Sequence, residues 1–131
     1  MGKISSKLML GEVGPRVQGL QNLFRRELPA RAAFRLGKIM KPLSEEAKAY
    51  EEARMDLVKK YSDKDKQGNP ATKDGVYQFS PKNKAVFDKE HAELFETEIT
   101  VEAAPIHIDD FKDVAVSASE LLLLGDFLVE D

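Results

Sequence analysis

The sequence predicts a mainly helical fold with a minor β component, and three observations carry that prediction. The stretch from Pro29 to Tyr61 keeps one helical period throughout: Ala33, Leu36, Met40, Leu43, Ala47, Tyr50, Arg54, Leu57 and Tyr61 alternate steps of three and four. Hydrophobic residues at 42% and charged residues at 33% suit a helix-rich globular chain and argue against wholesale disorder. The C-terminal run LLLLGDFLV follows a strong helix-start signal. Together they predict a long kinked helix packed antiparallel to a second helix at about 81 to 97, short extended segments, and a C-terminal leucine-rich helix. The length of 131 residues fits one domain, with residues 1–14 as a flexible or extended N-terminal arm.

Residues 3–10 include the short apolar run Leu8-Met9-Leu10, which reads as an extended arm or a brief strand. Gly11 and Gly14 loosen the backbone, and Pro15 suits the first position of a helix from about 15 to 27, with Val17, Leu20, Leu23 and Phe24 as its apolar stripe. That helix should stop near Leu28, because a residue before proline is pushed out of the helical region. Pro42 interrupts the long helix at a cost of roughly 3 kcal/mol. Because the apolar register continues across it, the pattern favours a kinked continuation over a break with Ser44 as a new cap.

The polar run SDKDKQGNPA ends the long helix, and Val76 to Phe79 after Asp74-Gly75 reads as a short strand pairing near Pro70 to Thr72. Ser80 caps the next helix with Pro81 at its first position; Val86, Phe87, Leu94 and Phe95 share one side, with His91 between them. Glu98 to Glu102 alternates strictly and Ile106 to Ile108 repeats that period, so both are extended, with Pro105 marking an edge. Ser117 and Glu120 form a capping box, flanked by Val116 and Leu121 at staple spacing, for a helix from 118 to about 129.

Cysteine is absent, which excludes disulfides and thiolate chemistry, and two histidines, His91 and His107, are too few for a structural zinc site. No apolar run reaches the length of a membrane span, and the N-terminus lacks a signal-peptide core, so the expected location is the cytoplasm of the cell that makes the protein. The net charge of −3 hides an asymmetry: residues 1–41 carry nine Lys/Arg against two acids, and residues 67–131 carry five against fourteen. Such a split lets the basic end meet nucleic acid, or lets one end attract the opposite end of a neighbour. The second is favoured, because a nearby acidic surface repels phosphate.

Arg54 is the exception in the apolar seam. An unpaired buried guanidinium is too costly to keep, so a structural ion pair between the long helix and its neighbour is expected, and an active site built on Arg54 and His91 is not. The basic run Arg25, Arg26, Arg31, Arg35, Lys38 and Lys41 offers phosphate contacts, with the four arginines as candidates; Phe24 and Phe34 are assigned to packing. Asp63, Asp65 and Gly68 mimic part of a calcium loop, but Gln67, Pro70, Asp74 and two internal lysines depart from it, and a solvated turn is preferred. Gly2 and Ser6 match a myristoylation pattern too short to weigh. The serines lie in caps and tails, with no nucleophile elbow or phosphate loop, so no enzyme activity, cofactor or metal is expected.

The runs LPARAAFRLGKIMKPL, YEEARMDLVKKYSDKDKQGN, FDKEHAELFETEITVEAAPIHIDDF and VSASELLLLGDFLVED resemble a family of small bacteriophage and prophage proteins of uncharacterised function. That resemblance implies a viral protein in the cytoplasm of a bacterial host, and some small helical phage proteins serve as tail-assembly chaperones. The leading expectation is a non-enzymatic interaction protein or assembly factor that binds a protein partner, or further copies of itself, through Leu121, Leu122, Leu123, Leu124, Phe127 and Leu128. A nucleic-acid accessory protein and an inhibitor of a host defence enzyme are the alternatives.

Overall fold

A computed structural model describes residues 2–130. The chain forms β1 (Ile4–Met9), α1 (Leu10–Phe24), α2 (Ala30–Tyr61), β2 (Thr72–Lys73), β3 (Val76–Tyr77), α3 (Pro81–Phe95), β4 (Glu98–Ala103), β5 (Ile106–His107), α4 (Ala118–Leu124) and β6 (Leu128–Val129). Short 3-10 turns occupy Ile108–Phe111 and Gly125–Phe127. Helices dominate, and the strands form three two-stranded sheets: β1 with β4 and β2 with β3 antiparallel, β5 with β6 parallel.

Residues 4–9 are a strand rather than a loose arm, because β4 supplies the partner its backbone needs. Ile4, Ser6 and Leu8 face the same side as Ala103, Val101 and Ile99, so the alternation in β4 becomes one covered face. The helix after it begins at Leu10 and not at Pro15. Its first turn buries Leu10, Gly11 and Val13, and the Leu10 N–H bonds to the Thr97 carbonyl at 2.8 Å. Tertiary burial therefore carries the helix through Gly14 and Pro15. Gly11 is needed for a different reason from loosening: a side chain there would collide with the Phe95 ring of α3. Gly19 similarly admits the Leu123 side chain.

α2 is continuous through Pro42, so the chain does not break there. Leu36, Ile39, Met40 and Leu43 are buried on both sides of the proline, and that shared burial offsets the lost backbone hydrogen bond. α1 packs along this half of α2, and with β4, β5, Phe111, Leu124 and Phe127 the two helices enclose the core. Phe24 falls outside it, 44% exposed, which corrects its assignment to the apolar stripe.

The second half of α2 extends away from that core into an arm. The Asp74-Gly75 turn, with φ of 53° and 80°, joins β2 to β3 as a tight hairpin, and α3 returns antiparallel along α2. Ser80 caps α3, its hydroxyl accepting the Asn83 N–H. Tyr50 on α2 meets both His91 and Phe95 of α3.

At the C-terminus the capping box forms as the sequence predicts, with Ser117 and Glu120 exchanging hydrogen bonds. The helix, however, ends at Leu124 and not near 129. Gly125 takes φ of 51°, which suits glycine, and turns the chain so that Leu128–Val129 pairs with Ile106–His107.

Candidate interaction surfaces

The early stop of α4 decides which of the six candidate partner residues face outward. Leu124 is fully buried and Phe127 is 1% exposed, so both are core. Leu123 is half-buried against Gly19 of α1, while Leu121 and Leu128 are half-buried at the edge of the core. Leu122 alone of the six is 77% exposed. It borders a shallow depression of ≈ 410 Å³ lined by Ala118, Leu121, Leu122, Gly125, Leu128 and Glu130. The expected apolar surface is therefore a patch centred on Leu122, smaller than a helix apolar on most of its circumference.

The four candidate phosphate arginines divide as well. Arg35 Nη1 donates to Asp110 Oδ2 at 2.7 Å, and Asp110 is buried. The same carboxylate oxygen accepts the His107 N–H at 2.9 Å. Burial alone would raise the Asp110 pKa, but the His107 N–H and the Arg35 guanidinium outweigh it and hold the carboxyl below its ordinary value. Arg26 donates to the Ala115 carbonyl at 2.8 Å and pairs with Glu120 at 2.7 Å, tying the connection after α1 to the start of α4. The Glu120 pKa is lowered, first by the Ser117 N–H and then, against burial, by the Ser117 hydroxyl and Arg26. Arg26 and Arg35 thus serve the fold. Arg25, which reaches Asn22 at 3.5 Å, and Arg31 are exposed.

Arg54 does form an ion pair, but its partner is Glu51 on the same helix at 2.6 Å, not a carboxylate across the interface. The Arg54 side chain is 32% exposed and lies beside Met55, so its charge stays in contact with water and needs no carboxylate from α3. The interhelical polar contact is made instead by Tyr50, whose hydroxyl lies 2.9 Å from His91 Nε2. Burial raises the Tyr50 pKa, partly countered by the Arg54 charge.

His91 also stacks on Phe87, with rings 3° from parallel and centroids 5.6 Å apart; Phe87 in turn meets Phe79 at 4.7 Å. A ladder of Phe79, Phe87, His91, Tyr50 and Phe95 thus fills the arm and ends on Gly11 of the body. The i, i+4 spacing of Phe87, His91 and Phe95 was the readable sign of it; the cross-helix partner was not.

The Asp63 loop binds itself. Asp65 Oδ1 accepts the N–H groups of Gln67 and Asn69, and the backbone pairs across Lys64 and Pro70, so the segment is a self-bonded turn. Among the described residues no group of three or more His, Asp or Glu side chains is placed to hold a metal ion, and no helix is long and apolar enough to cross a membrane.

A feature the sequence reading missed lies on the outer face of α2. Phe34, expected to pack inward, is 65% exposed, with Lys38 Nζ 5.5 Å from its ring centroid. Arg31, Phe34, Lys38 and Lys41 follow steps of three, four and three, a second stripe opposite the buried one. Comparison with known proteins finds no matching family model, curated protein or solved structure.

Proposed function

We propose that this chain is a non-enzymatic interaction protein of bacteriophage origin. In this reading it is an assembly factor or chaperone in tail morphogenesis that holds a protein partner or a second copy of itself at its C-terminal patch. The observation that carries the reading is Leu122, a large apolar side chain 77% exposed beside a depression walled by Leu121, Leu128 and Ala118. It sits on a helix fixed at its start by a capping box and by the Arg26–Glu120 pair. An apolar side chain held outward on an anchored helix favours burial against another chain over any role within its own. Three of the pairs of titratable groups that approach one another, Arg35 with Asp110, Arg26 with Glu120 and Tyr50 with His91, hold elements together, and Arg54 with Glu51 and Lys84 with Asp88 lie within single helices.

Sedimentation of the wild type and of Leu122→Glu, with affinity capture of both from infected bacteria, tests the reading. The expected result is concentration-dependent association, or a captured viral structural protein, that is lost in the variant while far-UV helicity is retained. A wild type that stays monomeric and captures the same proteins as the variant would overturn it.

A further inference from the structure

We propose that the outer face of α2 around Phe34 is a contact site for single-stranded nucleic acid, separate from the C-terminal patch. One exposed aromatic ring, Phe34, stands on that face, and a second, Phe24, borders it. Phe34 projects at 65% exposure, and Phe24, 44% exposed, lies against α2 at Gly37, one helical turn from Phe34. A Cβ at Gly37 would stand 3.6 Å from Phe24 Cε2, ordinary van der Waals contact, so the ring rests on the helix surface there.

Cations flank Phe34. Arg31, Lys38 and Lys41 share the face and spread over roughly 15 Å of helix axis. Two shallow depressions meet at Phe34: one has Arg31 and Lys112 in its wall, the other Lys3, Lys38 and Lys41. Lys112 reaches this rim from a left-handed backbone, φ 52°, that non-glycine residues adopt only under strain.

Exposed rings offer any base a stacking surface, and the flanking ammonium and guanidinium groups offer its phosphates counter-charges. Arg26 and Arg35 take no part, being committed to Glu120 and Asp110. Acids line the same two depressions, Glu45 and Glu102 in one and Asp109 and the Arg35-paired Asp110 in the other. Those carboxylates discriminate by strand number. A stiff duplex laid on α2 brings closely spaced phosphates onto the carboxylates, whereas a single strand bends around them and presents unstacked bases to Phe34 and Phe24.

The test is fluorescence anisotropy of a labelled 15-nucleotide oligo(dT) with the full chain at low salt. Binding is expected with a log–log salt slope of about −2, the value for roughly three phosphate contacts on a single strand. Phe34→Ala should weaken it about tenfold, and Phe34→Trp should restore it. The double variant Lys38→Ala, Lys41→Ala should flatten the slope by about 1.4. Because these side chains are exposed, thermal stability should stay unchanged, and circular dichroism checks this. Leu122→Glu should bind oligo(dT) as the wild type does, which separates this site from the C-terminal patch. Absence of binding, an undiminished Phe34→Ala, or equal displacement by a poly-glutamate peptide or by duplex of the same length would overturn the proposal.

Discussion

The two halves of α2 carry one helical period into different surroundings. From Ala32 to Leu43 the apolar side lies against α1 and β4, and Ala32, Leu36, Ile39 and Leu43 are fully enclosed. Beyond Leu43 the same spacing faces α3, and only Val58 reaches comparable burial; among the described residues none on α3 is buried. The body is thus held by apolar area removed from water, and the arm by a ladder of aromatic edges and faces with one hydroxyl–imidazole contact. Amphipathic spacing fixes which side of a helix turns inward. How well that side is covered depends on what the rest of the chain brings to it.

The largest expected difference is in core truncation. Leu36→Ala in the body should cost about 3–4 kcal/mol, because α1 and α2 cannot close over the cavity, while Val58→Ala in the arm should cost about 1.5. Chemical denaturation measures both, and equal costs would erase the distinction.

Next is the buried pair of the body. Arg35→Ala leaves Asp110 buried with the His107 N–H as its remaining partner, at an expected cost of about 2 kcal/mol at pH 7. Because the folded pKa of Asp110 is depressed, its contribution is present above the unfolded value near 3.9 and is lost as pH falls through the lower folded value. Wild-type stability should therefore fall below about pH 4, and Arg35→Ala should flatten that decline.

In the arm, Tyr50→Phe removes the contact with His91 and should cost about 1 kcal/mol, with the loss confined to residues of α2 and α3. Smallest is Arg54→Ala. Its partner is three residues away on the same helix and more than half exposed, so the expected change is under about 0.5 kcal/mol. A loss as large as that of Arg35→Ala would mean that Arg54 bridges the two helices after all.

Much of this arrangement was legible in the sequence because the signals are local. Caps at Ser80 and Ser117, the Asp74-Gly75 turn and the seam of α2 each act within a few residues, and each lies where the spacing places it. What was not legible depends on distant partners. Leu10 to Gly14 are helical because Phe95 and Thr97 are there to meet them, and Arg35 is withdrawn from the surface by Asp110. Phe34 looks like core by composition and is exposed because Leu36, Ile39 and Leu43 already occupy the inward side. Gly125 is a readable stop for the leucine-rich helix, and because the helix ends there the apolar surface is the smaller patch around Leu122.

Native-state hydrogen exchange, resolved by residue, tests the contrast between body and arm most directly. Amides of α1, of α2 up to Leu43 and of β4 should open only with global unfolding, while those of α2 beyond Ala47 and of α3 should open together at a lower free energy. One uniform opening free energy from Ala32 to Tyr61 and through α3 would contradict it.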